Sequence, residues 1–468
     1  MKGKNTRIHF IGIGGTGMSG IAKILINMGY KISGSDLKAS DALFRLKDAG
    51  AQVFVGHNAS NVEGADMVVI SSAIPKTNPE YVRAIELGIP VMHRADMLSL
   101  LMLSKKGIAI TGAHGKTTTT SMISLIMEKS GLDPTVVIGG ELNDIGGNAT
   151  LGTGEYLVAE ADESDGSFMK LSPYAAVVTN IENDHMDYYK DMVSMKNAFK
   201  KFVSNVKNEG FIVFCNDNEY VRELAQETDK KYYTVGLNQP ADFMPKNIKM
   251  NGLTSDFEIC FKEKTLGQIQ LQVPGIHNII NATCAIALGI GLGIDIRVMA
   301  DAIKTFKGVQ RRFQLIDEID GVKIIDDYAH HPTEIKATLR AARNCNPRKI
   351  YAIFQPHRFT RTQLLFEEFG AAFEDADEVI ITDIYSAGED PIDGVSSNLI
   401  VDALKRNGKT PIFLPNKSDI ADCVLSQAMP GDYVMTIGAG DINDVAYEMA
   451  EKMRSYHSEI FSECRKVN

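Results

Sequence analysis

The chain has no apolar run long enough to cross a bilayer. Its longest, Ala282 to Ile294, covers 13 residues and is broken by glycines, where a spanning helix needs ~20. Tryptophan is missing. Cysteine is sparse: the six (Cys215, Cys260, Cys284, Cys345, Cys423 and Cys464) form no CxxC pair. That removes the argument for zinc or a disulfide framework and fits thiols in a reducing compartment. The opening MKGKNTRIHF runs straight into a strand pattern without an apolar h-region, so no signal peptide is expected. Cations are in the minority, 49 Lys and Arg against 59 Asp and Glu, for a net charge of −10. A general nucleic-acid surface is therefore not expected. Small anions remain possible ligands, because backbone amides and a few cations suffice to hold them. These absences predict a cytoplasmic globular protein with no membrane insertion and no nucleic-acid partner.

What is present is α/β patterning. The chain is 468 residues long, too long for one core, and a length of ~150 residues per domain predicts three. Short apolar runs alternate with helix-period segments, the mark of parallel sheets. The expected domains are residues 1–105, 106–315 and 316–468, with Ser104 to Gly107 as a polar joint. Within the second, DFMPKNIKMNGLTSDFEICFKEKTLGQIQLQV reads as strands separated by tight turns, an antiparallel meander beside the parallel sheet. The tail HSEIFSECRKVN is polar and expected to be loosely held.

Two glycine turns stand about a hundred residues apart. In the first, FIGIGGTGMSG, Gly12, Gly14 and Gly17 follow a strand and open a helix. That is the dinucleotide-type fingerprint, in which bare backbone and a helix N-terminus receive a pyrophosphate. Asp36 ends the next strand, where a ribose-binding acid belongs. The pattern reports a nucleotide diphosphate without saying which, and a ligand-free strand–helix turn would look the same. In the second, IAITGAHGKTTTT, Gly112, Ala113, His114, Gly115, Lys116 and Thr117 form a shortened relative of the Walker loop, two residues tighter between its glycines. There Lys116 is placed for β and γ phosphates and Thr117 for Mg²⁺. Plain N-capping is the alternative for the threonines. Acids gather at the next strand end in EADESD, and His185 follows in TNIENDHMD. Such a group beside a phosphate loop predicts a Mg²⁺ site. His185 suits a second metal, direct substrate contact, or a core role.

Taken together, these segments resemble the Mur ligase family over nearly the whole chain. FIGIGGTGMSGIA resembles its UDP-binding turn and GAHGKTTTT its ATP loop. EADESDGSF and TNIENDHMD resemble its metal and central-site segments, and PGIHNIINA its adenine segment. RRFQ, DDYAHHPTE and FQPHRFTRT resemble the cluster joining its second and third domains. The resemblance implies a fold of three α/β domains: a Rossmann-like N-terminal domain, a central P-loop-type ATPase domain with an added antiparallel β region, and a Rossmann-like C-terminal domain. It implies an ATP-dependent ligase that activates the carboxylate of UDP-N-acetylmuramate as an acyl phosphate and joins it to an amino acid, here L-alanine. The cofactors implied are ATP and Mg²⁺ (or Mn²⁺). One turn would then hold a substrate diphosphate and the other the ATP that drives the reaction.

The resemblance also implies roles for single residues. Gly12, Gly14, Gly15, Gly17, Asp36, Ser71, Ser72, His93 and Arg94 would contact the UDP-sugar. ATP would be held by Gly112 through Thr118, by His277, Asn278 and Asn281 at the base, by Arg312 at the phosphates and by Asp327 at the ribose. Thr117, Glu160 and His185 would hold metal, with Glu163 as the fallback for Glu160. Tyr328, His330, His357, Arg358 and Arg361 would form the amino-acid pocket, its arginines suited to a carboxylate. Lys116, His185, Arg312, Arg358 and Arg361 are the expected catalytic group. The alternatives are a ligase that reattaches a recycled tripeptide to the same UDP-sugar and, from another class, an NAD-dependent dehydrogenase using the first turn. Monomer and homodimer are both compatible with the sequence.

Overall fold

The computed structural model describes residues 5–142 and 147–466. Three sheets organise it. The first has five strands: β1 (Arg7–Ile11), β2 (Lys31–Asp36), β3 (Gln52–Val55), β4 (Met67–Ile70) and β5 (Val91–His93), in the order β3-β2-β1-β4-β5. Every pairing in it is parallel. The order reverses at β1, where the first glycine turn leaves the sheet, and in open α/β sheets ligands gather at such a switch point. In β1 every residue from Ile8 to Ile11 is buried, the uninterrupted burial of a strand covered on both faces.

The second sheet has ten strands: β6 (Lys106–Thr111), β7 (Thr135–Leu142), β8 (Gly147–Thr150), β9 (Tyr156–Glu160), β10 (Ala175–Val178), β11 (Phe211–Cys215), β12 (Tyr232–Val235), β13 (Phe243–Asn251), β14 (Thr254–Phe261) and β15 (Lys264–Leu271). Its order is β15-β14-β13-β12-β11-β10-β6-β9-β7-β8. Strand β6 lies between β10 and β9, both parallel to it, so the second glycine turn emerges with acid-bearing segments on either side. The expected meander is present as β13 to β15. Lys262 and Glu263 both have positive φ, +46° and +69°, as a two-residue hairpin turn demands.

The third sheet has six strands: β16 (Gln314–Ile319), β17 (Val322–Asp327), β18 (Ile350–Phe354), β19 (Glu378–Ile381), β20 (Ile412–Phe413) and β21 (Tyr433–Ile437), in the order β16-β17-β21-β18-β19-β20. Only the β16–β17 pairing is antiparallel.

The chain divides into two compact units. Met1–Ile248, Asp256–Leu271 and Asn278–Lys307 form one; Lys249–Ser255, Gln272–His277 and Gly308–Asn468 form the other. Within the polar joint, Lys106 and Gly107 begin β6, and the Lys105 ammonium donates to the carbonyls of Gly152 and Gly154 at 2.9 and 2.6 Å. Residues 457–466 of the tail continue the helix Asn443–Lys466.

Candidate active site

The two glycine turns belong to the first unit, and each is built differently. The first is fastened by its own sheet. Gly12 and Ile13 donate to the Ser35 carbonyl at 2.8 and 2.9 Å, and the Gly14 amide donates to Asp36 Oδ2 at 2.9 Å. Asp36, expected from the sequence at the ribose, therefore also braces the turn. A Cβ on Gly14 would lie 2.7 Å from Leu43 and 2.8 Å from the Asp36 carboxylate, and one on Gly17 would lie 2.5 Å from the Arg94 guanidinium. Beneath, a buried network that the sequence reading missed carries Ser35. Its hydroxyl donates to Glu80 Oε2 at 2.5 Å, and Glu80 also takes Asn61 at 2.6 Å, the Asn58 amide at 3.1 Å and His9 at 3.3 Å.

The second turn is propped by the strand beside it. Its helix, Lys116–Lys129, starts directly at the lysine, with Gly115 left-handed at φ +81°. Thr179 and Asn180, just past β10, hold the loop: Asn180 Oδ1 accepts the His114 amide at 2.7 Å, and Thr179 Oγ1 donates to the His114 carbonyl at 2.7 Å. Gly112 sits at φ +131°, and a Cβ there would meet Thr179 Oγ1 at 2.2 Å; a Cβ on Gly115 would meet Asn281 Oδ1 at 2.7 Å. Asn281 in turn donates to Asn278, at 3.3 Å. Thus Asn281 of the expected adenine segment lies against the phosphate loop.

Lys116 carries the charge of this turn. Its ammonium donates to the Gly112 carbonyl at 2.6 Å and to Glu163 Oε1 at 2.9 Å. Burial works to lower its pKa, but Glu163, Asp162 and Glu160 together outweigh burial and raise it. Burial in turn pushes the Glu163 carboxyl up, against the pull of Lys116. Glu163 is 1% exposed, lies 3.8 Å from His185 Nε2, and keeps its second oxygen, Oε2, buried with no hydrogen-bond partner among the described residues. Glu160, preferred from the sequence, instead accepts the Gly139 amide at 2.8 Å. It is therefore Glu163, the fallback, that meets Lys116 and His185.

The acid segment also reaches the first turn. Arg94, over Gly17, donates to Asp162 Oδ2 at 3.2 Å. The Ser72 hydroxyl donates to Asp165 at 2.7 Å, and His93 lies 3.9 Å from the same carboxylate. Burial would raise the Asp162 pKa, but Lys116 and Arg94 hold it down at about 2. Three of the expected UDP-sugar residues and Lys116 of the second turn thus share one acidic strip. Ser71 accepts from the Ile74 amide at 3.1 Å, a turn contact.

In the second unit, Asp327 is 4% exposed. Its oxygens accept the amides of Phe313 and Ala329, each at 2.8 Å, and the Thr338 hydroxyl at 3.1 Å. Burial raises its pKa to about 6. Asp327 thus organises its own neighbourhood, and a ribose would compete with these donors. Arg311 and Arg312 lie over the Tyr328 ring, 5.0 and 5.3 Å from its centre. Arg312 also donates to Glu334 at 3.4 Å, and Glu334 accepts the His330 amide at 3.0 Å. His330 and His357 stand 5.7 Å apart, and Arg361 approaches His357 Nδ1 at 3.3 Å. Burial lowers the pKa of His330 to about 4 and of His357 to about 3, so both rings are neutral near pH 7. His277, half-buried, is lowered by desolvation to about 4. Arg358 donates its amide to the Tyr385 carbonyl at 2.8 Å and points its guanidinium toward Glu389 at 3.9 Å.

This layout was compared with known proteins. Three family models match in succession: "Mur ligase family, catalytic domain" over residues 7–106, "Mur ligase middle domain" over 110–289, and "Mur ligase, glutamate ligase domain" over 311–440. The chain belongs to the Mur ligase family. Among its similar relatives, the UDP-N-acetylmuramate–L-alanine ligase of Pelotomaculum thermopropionicum is 51% identical over 96% of this chain and 98% of that protein. The ligase of the same name from Geotalea daltonii is 50% identical over 97% and 99%. A solved structure of UDP-N-acetylmuramate–alanine ligase from Thermotoga maritima matches with a TM-score of 0.83 at 30% identity, covering 97% of this chain and all of that one. As a member of this family, the chain carries several organising residues that motif reading passed over: Thr179, Asn180, Arg311, Glu334 and Glu389. All but Glu389 lie inside the quoted motifs TNIENDHMD, RRFQ and DDYAHHPTE, but each is committed to holding another residue, so sequence alone gave it no chemistry.

Proposed function

We propose that the protein is an ATP-dependent UDP-N-acetylmuramate–L-alanine ligase. The observation that carries this reading is the end-to-end likeness to enzymes of that name at about half identity, combined with two separate phosphate turns in one unit. An enzyme with a single nucleotide ligand needs one cradle. A UDP-sugar substrate and ATP need two.

In this reading the first turn holds the UDP diphosphate on its amides, with Arg94 and Ser72 beside it. The second turn holds the ATP phosphates, and Lys116 neutralises the phosphoryl group as it passes to the muramoyl carboxylate. Lys116 is already charged and fixed to three acceptors, so little reorganisation is needed when phosphate arrives. Glu163 suits a divalent cation such as Mg²⁺: its inner oxygen has an open acceptor site, and Thr117 and His185 complete the donor set. Such an ion would supply charge neutralisation on the phosphate oxygens. The acyl phosphate carbon then receives the amine of L-alanine, and phosphate leaves. Arg358 and Arg361 would hold the amino acid's carboxylate. His330 and His357, kept neutral by burial, would accept hydrogen bonds from its amine and orient it. The dehydrogenase reading loses support, because hydride transfer has no use for Lys116 and its acids.

The test is phosphate release from ATP, Mg²⁺ and UDP-N-acetylmuramate with L-alanine, glycine, L-serine or L-Ala-γ-D-Glu-diaminopimelate. Release that requires the sugar and L-alanine is expected. Release only with the tripeptide would move the assignment to the recycling ligase.

A further inference from the structure

The third sheet ends in a cleft of about 550 Å³ at the C-terminal edges of β18 to β21, lined in part by Gln355, Asp383, Tyr385, Lys417 and Asp441. Parallel strand ends of this kind are where α/β sheets receive ligands. None of these residues belongs to the expected amino-acid pocket, yet Tyr385 borders both. Its ring stacks on His357 with centroids 5.7 Å apart and planes 11° from parallel. Its backbone is tied to the same loop: the Tyr385 amide donates to the Pro356 carbonyl at 2.8 Å, and its carbonyl receives the Arg358 amide. Beneath the ring lies Gly440, where a Cβ would stand 2.6 Å from Tyr385 Cγ. The ring therefore rests on bare backbone on one side and on a pocket histidine on another. Tyr385 as a whole is 38% exposed, and its hydroxyl enters no hydrogen bond among the described residues.

We propose that the Tyr385 ring is a partition that limits the side chain of the incoming amino acid, closing the His357–Arg361 pocket off from the cleft beyond. The proposal rests on the reading of that pocket as the amino-acid site. A small side chain such as methyl fits on the near side; a longer one collides with the ring. Beyond it, Lys417 is paired with Asp441 at 2.7 Å, and Gln355 donates to the same carboxylate at 2.8 Å. Asp383 is exposed and has no cationic partner among the described residues. With the ring removed, the opened space therefore favours a short cationic side chain.

The experiment compares wild type, Tyr385→Phe, Tyr385→Leu and Tyr385→Ala in phosphate release with L-alanine, L-2,4-diaminobutyrate and L-ornithine, each at saturating ATP and UDP-N-acetylmuramate. In Tyr385→Ala the kcat/KM ratio of diaminobutyrate to L-alanine should rise at least ~10-fold, the scale on which pocket size discriminates. Tyr385→Leu should show a smaller rise, and Tyr385→Phe none, because the ring and not the hydroxyl forms the wall. An unchanged ratio in an active Tyr385→Ala would overturn the proposal. So would loss of all activity in both aliphatic variants with Tyr385→Phe intact, since the ring would then support His357 and select nothing. Wild type inactive with L-alanine would instead undo the underlying reading of the pocket, so the two failures are distinguishable.

Discussion

The two glycine turns of the first unit look alike in sequence and differ in what holds them. The first is neutral along its own backbone and is fixed from below, through Ser35, Asp36 and the buried Glu80. The second carries its own cation, and that cation is anchored to a buried acid. A turn stiffened by its sheet suits a substrate that must be positioned. A turn with a held positive charge suits a group whose charge changes during reaction, since fixed charge in a water-poor site acts most strongly on the transition state. The same fingerprint can therefore serve binding or chemistry, and the bracing tells them apart.

Removing Lys116 should break the comparison most severely. Lys116→Ala is expected to lower kcat by about 10³-fold while leaving UDP-sugar affinity within a few-fold, measured by phosphate release and by calorimetric titration of the sugar. Equal losses in both would mean that the turns do not divide the work.

Alanine at matched glycines comes next. At Gly112 a methyl group would meet Thr179 Oγ1 at 2.2 Å on a backbone of φ +131°, so Gly112→Ala should cost about 1–3 kcal/mol and most of the ATP-dependent activity. At Gly15 the backbone is ordinary, φ −61°, and the nearest contact would be 3.5 Å from the Gly12 carbonyl. Gly15→Ala should fold with a stability change inside about 0.5 kcal/mol. Its UDP-sugar KM should nonetheless rise roughly 10-fold, because the methyl group stands where a pyrophosphate approaches the backbone. Thermal melts and KM values for both nucleotides check the pair. Asn180→Ala should act more mildly, raising the ATP KM about 5-fold as the His114 amide and carbonyl lose a partner, at about 1–2 kcal/mol in stability.

The turns, their flanking elements and the meander were legible in the sequence because each rests on local grammar: glycine spacing, hydrophobic period, two-residue turns. Strands β8 and β12, four residues each, and β16, whose acids interrupt its apolar residues, were not. The choice between Glu160 and Glu163 was also beyond local reading. Glu160 ends β9 and Glu163 follows it, and only the fold of the chain through Asp162 to Ser164 brings the second one back to Lys116. The Glu80 network was hidden for a different reason. Its partners His9 and Ser35 are 71 and 45 residues away, and a lone Glu after Asn-Pro reads as an ordinary helix start. Asn78 does cap that helix, but the acid is there for the neighbouring strands.

That network gives the smallest effect on activity and the sharpest test of how the first turn is held. Burial would raise the Glu80 pKa, yet hydrogen bonds from His9, Ser35 and Asn61 bring it down from 4.5 to about 2. A carboxylate depressed in the folded state stabilises the protein above its unfolded pKa and loses that contribution as pH falls toward the folded value. The contribution, roughly 3 kcal/mol from a shift of this size, should be complete at pH 6 and fade between about 4.5 and 2. Glu80→Gln keeps the shape and removes the charge. Its deficit in melting temperature should therefore be widest at pH 6 to 7 and narrow steadily toward pH 3. The variant's ATP KM should stay unchanged, and its UDP-sugar KM should rise only a few-fold, since Glu80 reaches the turn through Ser35. The second turn's Lys116 does not produce this profile, and Asp162, held at about 2, titrates alike in wild type and variant. Lys116 is raised above 10.5, so its contribution is lost only in strong alkali. A deficit that stayed constant from pH 7 to pH 3 would mean the carboxylate's charge plays no part in bracing the first turn, and the contrast between the two would reduce to Lys116 alone.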